Sequence, residues 1–262
     1  MIGVYGWRGL LGSHFIRQFP DDTIPLPGDI TNFSEVRDTL KNIQPTAVVN
    51  CAGAAPRSSY TKAQTFHINA IAPQVMGRMC LDLDIRLIQI STDCVFEGEG
   101  SNDEYDLPNA TDWYGNSKSE GEYIGESHLV IRTSFVGYPD PNGRGLLAWF
   151  MRHTNDEVVT GYTRHIWNGL STLALGKYLH KFAYSGLSGI LHLHGQTITK
   201  YELLQTFNEV FGTRKRIIPV ATSPVNRTLI SRRKHEYTYI PGTSNFEEMM
   251  REMKYWQKTL MA

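Results

Sequence analysis

The chain begins MIGVYGWRGLLG, residues 1–12, in which a short apolar run leads into glycines at positions 6, 9 and 12. The run 1–5 is typical of a buried parallel strand, and residues 13–19 carry apolar side chains at helical spacing. Gly6 permits a tight bend, Gly9 lets the backbone approach a pyrophosphate, and Gly12 lets the helix pack against the strand. Because the free N–H groups of the helix start would face the phosphates, this strand–turn–helix stretch predicts a dinucleotide-binding turn.

Beyond this turn, strand-like and helix-like segments alternate, which favours a doubly wound parallel sheet. We predict further strands at 23–26, 46–50, 86–91 and 129–133, and helices at 34–40 and 66–83. Residues 97–111, rich in Gly, Asp and Asn, predict a loop and a candidate flap over the site. The turn-forming run 138–143 ends the alternation.

The predicted fold class is therefore α/β, a Rossmann-type doubly wound parallel sheet with a smaller C-terminal substrate-binding lobe. Residues 1–137 form the predicted NAD(P)-binding domain, and 168–193 are expected to return to it. The remaining segments, 138–167 and 194–262, are assigned to the substrate-binding lobe. A chain of 262 residues is long enough for this arrangement.

Composition limits the classes of partner. Lysine plus arginine and aspartate plus glutamate number 26 each, so net charge gives no case for a nucleic-acid or membrane partner. The sequence has no apolar run of transmembrane length, and its start enters the first strand directly, so we expect a cytoplasmic protein. The three cysteines have no metal-ligand spacing, and no metal site is predicted.

A second motif carries chemistry. In WYGNSK, residues 113–118, Tyr114 and Lys118 would share one face of a helix. A lysine cation one turn away is expected to stabilise the phenolate and lower a pKa that is about 10 in a free tyrosine. The hydroxyl of Thr92 would then hold a carbonyl oxygen beside the phenol. These three residues predict a site that moves a proton on or off an alcohol.

The glycine turn comes first and the Tyr114–Lys118 pair follows it, which is the order found in extended short-chain dehydrogenases/reductases. The chain resembles a member of that superfamily. Three more stretches resemble the dTDP-4-dehydrorhamnose reductases of that superfamily: STDCVFEG at 91–98, YGNSKSEGE at 114–122 and VIRTSFVG at 130–137. The resemblance implies reduction by NAD(P)H of the C4 ketone of a nucleotide-linked 4-keto-6-deoxy sugar, for deoxysugar and polysaccharide biosynthesis. It also implies a homodimer.

The resemblance further implies a role for each catalytic residue. Tyr114 protonates the alkoxide, Lys118 binds the nicotinamide ribose, and Thr92 hydrogen-bonds the ketone oxygen. The implied cofactor-binding residues are Gly6, Trp7, Arg8, Gly9, Leu10, Leu11, Gly12, Asp29, Ile30, Cys51, Ala52, Gly53, Asn69, Tyr114, Lys118 and Phe135.

Arg8 bears on the choice of cofactor. It stands where GDP-fucose synthases carry an arginine that contacts the 2′-phosphate of NADPH. No acid is obvious at the end of the second strand to bind a free ribose 2′-hydroxyl. The sequence therefore favours NADPH over NADH.

Substrate contacts are predicted from the segments around the motifs and in the expected lobe. The candidates are Asp93, Cys94, Phe96, Arg144, Trp149, Arg164, His165, Trp167 and Asn168. For each aromatic residue, packing within the lobe is an equal alternative. An arginine is expected on the substrate pyrophosphate, and Arg144, Arg164 and Arg227 are equal candidates.

Two other functions stay open. Cys94 replaces the tyrosine usual in the rhamnose enzymes, and a cysteine near this position takes part in epimerisation in GDP-fucose synthase, so an epimerase or a combined epimerase–reductase is an alternative. Such an enzyme needs a histidine acid, for which His165 is the nearby substitute. The second alternative is a non-catalytic NAD(P)-binding regulatory subunit, against which the presence of Thr92, Tyr114 and Lys118 argues.

Overall fold

The computed structural model describes residues 1–56, 58–98, 100–138, 143, 145–243 and 245–261. Its strands, in chain order, are β1 (Ile2–Tyr5), β2 (Thr23–Pro25), β3 (Ala47–Asn50), β4 (Arg86–Ile90), β5 (Leu129–Arg132), β6 (Phe135–Val136), β7 (Val158–Tyr162), β8 (His165–Trp167), β9 (Leu170–Ser171), β10 (Gly189–His192), β11 (Ile198–Thr199), β12 (Arg216–Val220) and β13 (Val225–Asn226). Its α-helices are α1 (Leu10–Gln18), α2 (Phe33–Ile43), α3 (Lys62–Phe66), α4 (Ala72–Asp82), α5 (Trp113–Glu120), α6 (Leu146–Arg152), α7 (Thr172–Ala183), α8 (Lys200–Phe211) and α9 (Phe246–Met261). A π-helical turn, His67–Ile71, joins α3 to α4, and short 3₁₀ turns lie at Asp93–Val95 and Lys234–Glu236.

A six-stranded parallel sheet in the order β10-β5-β4-β3-β1-β2 forms the centre of the protein. Strands β1, β3 and β5 are buried along their whole length because helices cover both faces of the sheet. Helices α1 and α7 pack together, as do α2 and α4. The predicted Rossmann-type α/β class is confirmed. Since the chain runs from β1 to β2 and then back to β3, the crevice beyond β1 and β3 is a topological switch point, where ligands bind.

The five strands predicted for the first half are present, within one or two residues of their predicted bounds. The helix predicted at 66–83 is longer and is not uniform. It runs from Lys62 to Asp82 and contains the π-helical turn, which inserts extra backbone where Asn69 is buried.

After β5 the chain forms smaller sheets in addition to one more strand of the central sheet. Strand β10 pairs with β5, whereas β8 pairs with β11 and β13, and β7 pairs with β12. The division into a domain of 1–137 with 168–193 and a lobe of 138–167 with 194–262 stays a prediction. None of the described helices is long and apolar enough to cross a membrane.

The segment expected to be a flap is instead held by the C-terminal part of the chain. The carboxylate of Glu104 accepts hydrogen bonds from the backbone N–H of His192 at 3.0 Å and of Arg232 at 2.9 Å. Asp103 forms an ion pair with Arg232 at 2.5 Å. Both carboxylates are buried, so leaving this position would strip them of their partners. These bonds make a movable flap an incorrect description of this segment.

Candidate active site

The glycine turn after β1 has no space for side chains at two of its three glycines. Gly6 has a φ of 71°, and a Cβ there would lie 2.4 Å from the backbone nitrogen of Ala52. A Cβ on Gly12 would lie 2.4 Å from the carbonyl oxygen of Gly6. At Gly9 the only atom near a Cβ is that same oxygen, at 3.1 Å. The turn is therefore closed toward the loop after β3 and toward α1, and it is open at Gly9.

A cavity of about 630 Å³ lies beside this opening, at the switch point of the sheet. Gly9 is the N-cap of α1 and offers no side chain to the first turn of the helix, so the first N–H groups stay available to an anion. The residues that line the cavity are Gly6, Gly9, Gly28, Asp29, Ile30, Thr31, Cys51, Ala52, Gly53, Tyr60, Gln64, His67 and Ile68. Its volume suits a nucleotide-sized ligand.

Seven of the expected cofactor contacts line this cavity: Gly6, Gly9, Asp29, Ile30, Cys51, Ala52 and Gly53. Sequence reasoning missed the other residues of the lining. Tyr60, Gln64, His67 and Ile68 come from the start of the long helical segment, and no motif in the sequence indicates that this segment bends toward the glycine turn. Only the tertiary packing places them there.

The remaining expected cofactor contacts lie elsewhere. Leu11 and Gly12 are buried under the turn, and Leu10 lies next to Gly137 and Gly145. Trp7 and Phe135 pack against the main core, and the Arg8 guanidinium lies over the ring of Trp7 at 4.2 Å. Asn69 holds a loop: its side chain accepts a hydrogen bond from Ala54 N at 2.8 Å and donates to Ala54 O at 3.0 Å. Its amide also donates to Ser117 Oγ at 3.0 Å, so it connects the cavity wall to α5.

Helix α5 brings the catalytic candidates together. Asp112 caps the helix by accepting hydrogen bonds from the N–H groups of Tyr114 at 2.8 Å and Gly115 at 2.9 Å. A Cβ on Gly115 would lie 2.2 Å from the carbonyl oxygen of Cys94, so the helix lies directly against the segment after β4. In consequence the Thr92 side chain lies close enough to the phenol of Tyr114 to lower its pKa.

The pKa of Tyr114 differs from the expectation. Burial of the phenol raises its pKa, and the nearby Cys94 and Asp93 add to the rise, whereas the Thr92 hydroxyl opposes it. Lys118 is not among the groups that shift this pKa, and its ammonium donates a 2.6 Å hydrogen bond to Ile90 O. The lowering of the phenol pKa by Lys118 is therefore not observed in this arrangement and stays a prediction. The phenol stays protonated and can act as an acid.

Lys118 itself is buried, and this burial lowers its pKa to about 8, against the opposing effect of the Glu122 carboxylate. Glu122 forms an ion pair with Arg132 at 2.8 Å in which both side chains are almost fully buried. Ser91 also donates a 2.5 Å hydrogen bond to Glu122. A polar network under the site thus keeps a negative charge near Lys118.

Beside Thr92 lies a second group of polar side chains. The Arg227 Nη1 atom donates a hydrogen bond to Cys94 Sγ at 2.7 Å. The Thr92 hydroxyl donates to Asp93 Oδ1 at 3.1 Å, and Cys94 Sγ approaches the same oxygen at 3.4 Å. Burial raises the pKa of the Cys94 thiol to about 11, and the Asp93 carboxylate adds to the rise. Near neutral pH this cysteine is a neutral thiol.

Another cavity, of about 240 Å³, lies among residues of the later part of the chain. Its lining consists of Leu146, Trp149, Thr160, Tyr162, His165, Lys200 and Leu204. Two of the expected substrate contacts, Trp149 and His165, are in this lining. Lys200 was not predicted as a site residue, because a lysine at the start of a helix is expected to be exposed to solvent.

Other expected substrate contacts have structural partners. Phe96 is buried with Val95 and Leu229, and Trp167 is buried and donates a 2.8 Å hydrogen bond to Ser134 Oγ. Asn168 hydrogen-bonds both backbone groups of Leu229, at 2.7 and 3.0 Å. Arg164 is exposed, and Arg144 lies outside the described residues. For Phe96, Trp167 and Asn168 the structure therefore favours packing over substrate contact.

This combination of a parallel sheet, a glycine turn and a Thr92–Tyr114–Lys118 group defines an extended short-chain dehydrogenase/reductase. Residues 1–260 match the family described as RmlD substrate binding domain, and the chain belongs to that family.

Two curated relatives and one solved structure illustrate the similarity. The chain is 30% identical over 161 residues, about half of each protein (51% and 52%), to a probable low-salt glycan biosynthesis reductase, Agl14, of Haloferax volcanii. It is 24% identical over 277 residues, 98% of this chain and 94% of the other, to the dTDP-4-keto-6-deoxy-D-glucose reductase of Streptomyces niveus. The crystal structure of dTDP-4-dehydrorhamnose reductase from Bacillus anthracis in complex with NADP has the same fold, with a TM-score of 0.87 at 20% identity over 97% of this chain and 98% of that one.

Proposed function

We propose that this protein is an NAD(P)H-dependent oxidoreductase that reduces the C4 ketone of a nucleotide-linked 4-keto-6-deoxy sugar in deoxysugar biosynthesis. The observation that carries the proposal is that Tyr114 lies close to Thr92, with Lys118 one turn along the same helix and its Nζ atom 4.0 Å from a Cβ built on Gly53, in the wall of the cavity at the glycine turn. The relatives that span most of this chain are named as reductases of dTDP-4-keto sugars, which supports this substrate class.

The glycine turn fits a dinucleotide. Gly9 faces open space where a side chain would block a pyrophosphate, and the uncapped start of α1 offers N–H groups to it. Asp29, Ile30 and the loop 51–53 would hold the adenosine part. When bound, a reduced nicotinamide supplies the hydride.

The residues of the chain then handle the oxygen and its proton. The Thr92 hydroxyl holds the ketone oxygen beside the phenol, which aligns the carbonyl for reduction. The Tyr114 hydroxyl, protonated because burial raises its pKa, gives its proton to the oxygen as negative charge develops there. Lys118 binds the ribose hydroxyls and, as a cation, stabilises the phenolate that remains.

We propose NADPH as the preferred cofactor on the basis of Arg8, which is exposed at the glycine turn. None of the described residues that line the larger cavity is a lysine or arginine, so Arg8 is the candidate for the 2′-phosphate. Competing titrations of NADPH and NADH test this proposal. Arg8→Met is expected to weaken the binding of NADPH about tenfold and to leave the affinity for NADH unchanged. Equal loss for both cofactors would contradict it.

From the resemblance we also propose a homodimer that works in the cytoplasm. Light scattering coupled to size-exclusion chromatography measures the mass in solution, and fractionation of the producing cells locates the protein.

The reductase proposal is tested by following NADPH consumption with a panel of nucleotide-linked 4-keto-6-deoxy sugars. The wild-type protein should turn over at least one of them. Tyr114→Phe should lose about 10²–10⁴-fold in kcat while NADPH binding stays unchanged. Retained cofactor binding with no turnover of any sugar would favour a non-catalytic subunit.

Epimerisation is less well supported than simple reduction. An epimerase base must take a proton from carbon, and the Cys94 thiol keeps its own proton because burial raises its pKa. Reaction in deuterium oxide separates the two, since a reductase alone leaves C3 and C5 of the sugar unlabelled. Deuterium at either carbon would establish the combined activity.

A further inference from the structure

Lys200 is the first residue of α8, and its side chain leaves the helix toward the smaller cavity. It lines that cavity together with Trp149, Tyr162 and His165. Its ammonium lies 4.7 Å from the centre of the Trp167 ring, a contact with the face of a neutral aromatic.

In the part of the chain that the structure describes, no residue accepts a hydrogen bond from Lys200 or forms an ion pair with it; its ammonium faces the Trp167 ring, and the charges of Asp93 and Arg227 act on it from nearby. Burial lowers the pKa of Lys200, and the Asp93 carboxylate opposes this effect. A largely buried ammonium without an acceptor is costly, and an anionic ligand would relieve that cost.

The neighbouring charges do not compensate for Lys200. Asp93 is the single acid among them, it is shared by Lys200 and Arg227, and burial raises the pKa of its carboxyl. Arg227 already donates to Cys94 Sγ, which fixes its guanidinium in place. Two cations thus share one carboxyl group whose pKa is raised, so the cluster of Asp93, Lys200 and Arg227 carries an excess of positive charge.

We infer that Lys200 is a specificity-determining residue that binds an oxyanion of the substrate at this cluster. Lys200 lines the smaller cavity, which shares no residue with the lining of the larger cavity at the glycine turn. The inference rests on the proposed function, because it assigns a subsite of the same active site. The oxyanion belongs either to the diphosphate of the nucleotide or to a carboxylate at C6 of the sugar, since both offer the same acceptor chemistry. In the second case the substrate carries a carboxylate in place of the 6-methyl group, and the proposed sugar is a uronic acid instead of a 6-deoxy sugar.

The test measures direct binding, by calorimetry, of dTDP, dTDP-glucose and dTDP-glucuronic acid to the full chain. The variant is Lys200→Met, which keeps the apolar stem and removes the charge. Lys200→Arg keeps the charge, and Lys41→Met removes an exposed charge from α2 as a matched control. Unchanged NADPH affinity and thermal unfolding show that each variant is folded; Lys200→Gln replaces the methionine variant if that one is unfolded.

If Lys200 binds the diphosphate, Lys200→Met weakens the binding of all three ligands about tenfold or more and makes their affinities less dependent on salt concentration. If Lys200 binds a sugar carboxylate, the wild-type protein prefers dTDP-glucuronic acid to dTDP-glucose, and Lys200→Met removes only that preference. In either case the ligand affinities of Lys200→Arg and Lys41→Met stay within about twofold of those of the wild-type protein.

Equal affinities of Lys200→Met and wild type for all three ligands would overturn the inference, as would failure of the wild-type protein to bind any of them. The outcome is separable from that of the reductase proposal. A protein that binds dTDP through Lys200 but never consumes NADPH would retain the anion site and lose the proposed reaction.

Discussion

The larger cavity at the glycine turn and the smaller cavity near Lys200 are built in different ways. The first is formed mainly by backbone at the ends of β1 and β3, where Gly6, Gly9 and Gly53 bring main chain to the surface. The second is formed by side chains from α6, β7, β8 and α8. A backbone-built site is sensitive to an added Cβ, whereas a side-chain-built site is sensitive to the identity of each side chain. The two cavities should therefore respond to different substitutions.

The largest effect is expected at the buried ion pair and hydrogen-bond network near Lys118. Glu122 pairs with Arg132, and Arg132 contacts His192, which hydrogen-bonds the backbone of Asn102 and Ile230. Glu122→Gln leaves the buried Arg132 without its counter-charge, which should cost about 3–5 kcal/mol of unfolding free energy. Denaturant titration measures this loss, and binding of both cofactor and nucleotide should weaken together.

Glu126→Gln is the control for that experiment, because Glu126 is exposed in the same segment. A stability of Glu122→Gln equal to that of this control would show that the Glu122–Arg132 pair does not stabilise the fold.

A second prediction tests whether the larger cavity depends on close approach of the backbone at a glycine. Gly6 and Gly212 both have positive φ, at 71° and 69°, but a Cβ on Gly6 meets the backbone of Ala52 at 2.4 Å while one on Gly212 meets nothing within 4 Å. Gly6→Ala should therefore weaken NADPH binding about 100-fold, since the turn must shift away from the loop after β3. Gly212→Ala should cost only about 1 kcal/mol of stability from backbone strain and leave NADPH binding intact. Fluorescence titration of NADPH distinguishes them, and equal affinities would refute the close-approach explanation.

A third prediction concerns a side chain of the smaller cavity. Trp149 lines the smaller cavity, and its side chain is 37% exposed. Trp149→Ala should therefore weaken the binding of dTDP-glucose about tenfold, because an aromatic contact is lost, and should change the stability of the protein little. NADPH affinity should not change, because Trp149 is not part of the larger cavity. Tyr123→Ala, which removes an aromatic ring that is 74% exposed, serves as the control. Loss of NADPH binding in Trp149→Ala would show that the two cavities are not independent.

The smallest effect is a pH dependence on the cofactor side. Burial lowers the pKa of Lys118 to about 8, so the ammonium persists below that pH and is lost above it. The Glu122 carboxylate opposes this shift, whereas the neighbouring Cys51 is a neutral thiol over this range because burial raises its pKa to about 12. Because a neutral amine binds ribose hydroxyls less strongly, NADPH affinity should fall about threefold to tenfold between roughly pH 7 and 9.

Lys118→Met should show lower affinity with no such fall over the same pH range. If the variant keeps the wild-type pH dependence, another group is responsible for it.

Much of the fold and of the catalytic group could be predicted because their determinants are local. The strands of the first half are short apolar runs between turn residues, and the spacing of Tyr114 and Lys118 is fixed by one turn of α5. Predictions failed where a neighbour distant in sequence decides the outcome. Phe96 and Asn168 look available for substrate but pack against Leu229, and the supposed flap is held through Glu104 by residues that follow β10.

The sequence by itself determined the glycine turn, the parallel sheet and the placement of Tyr114 and Lys118 on one helix, because each depends on residue type at short spacing. Tertiary structure alone decided the environment of those residues. It directs the Lys118 ammonium to Ile90 O, and it buries the Tyr114 phenol, which raises the phenol pKa. It also brings Lys200 and Arg227 to Asp93, from parts of the chain with no motif of their own. Burial and charge are properties of neighbours in space, and only folding defines those neighbours.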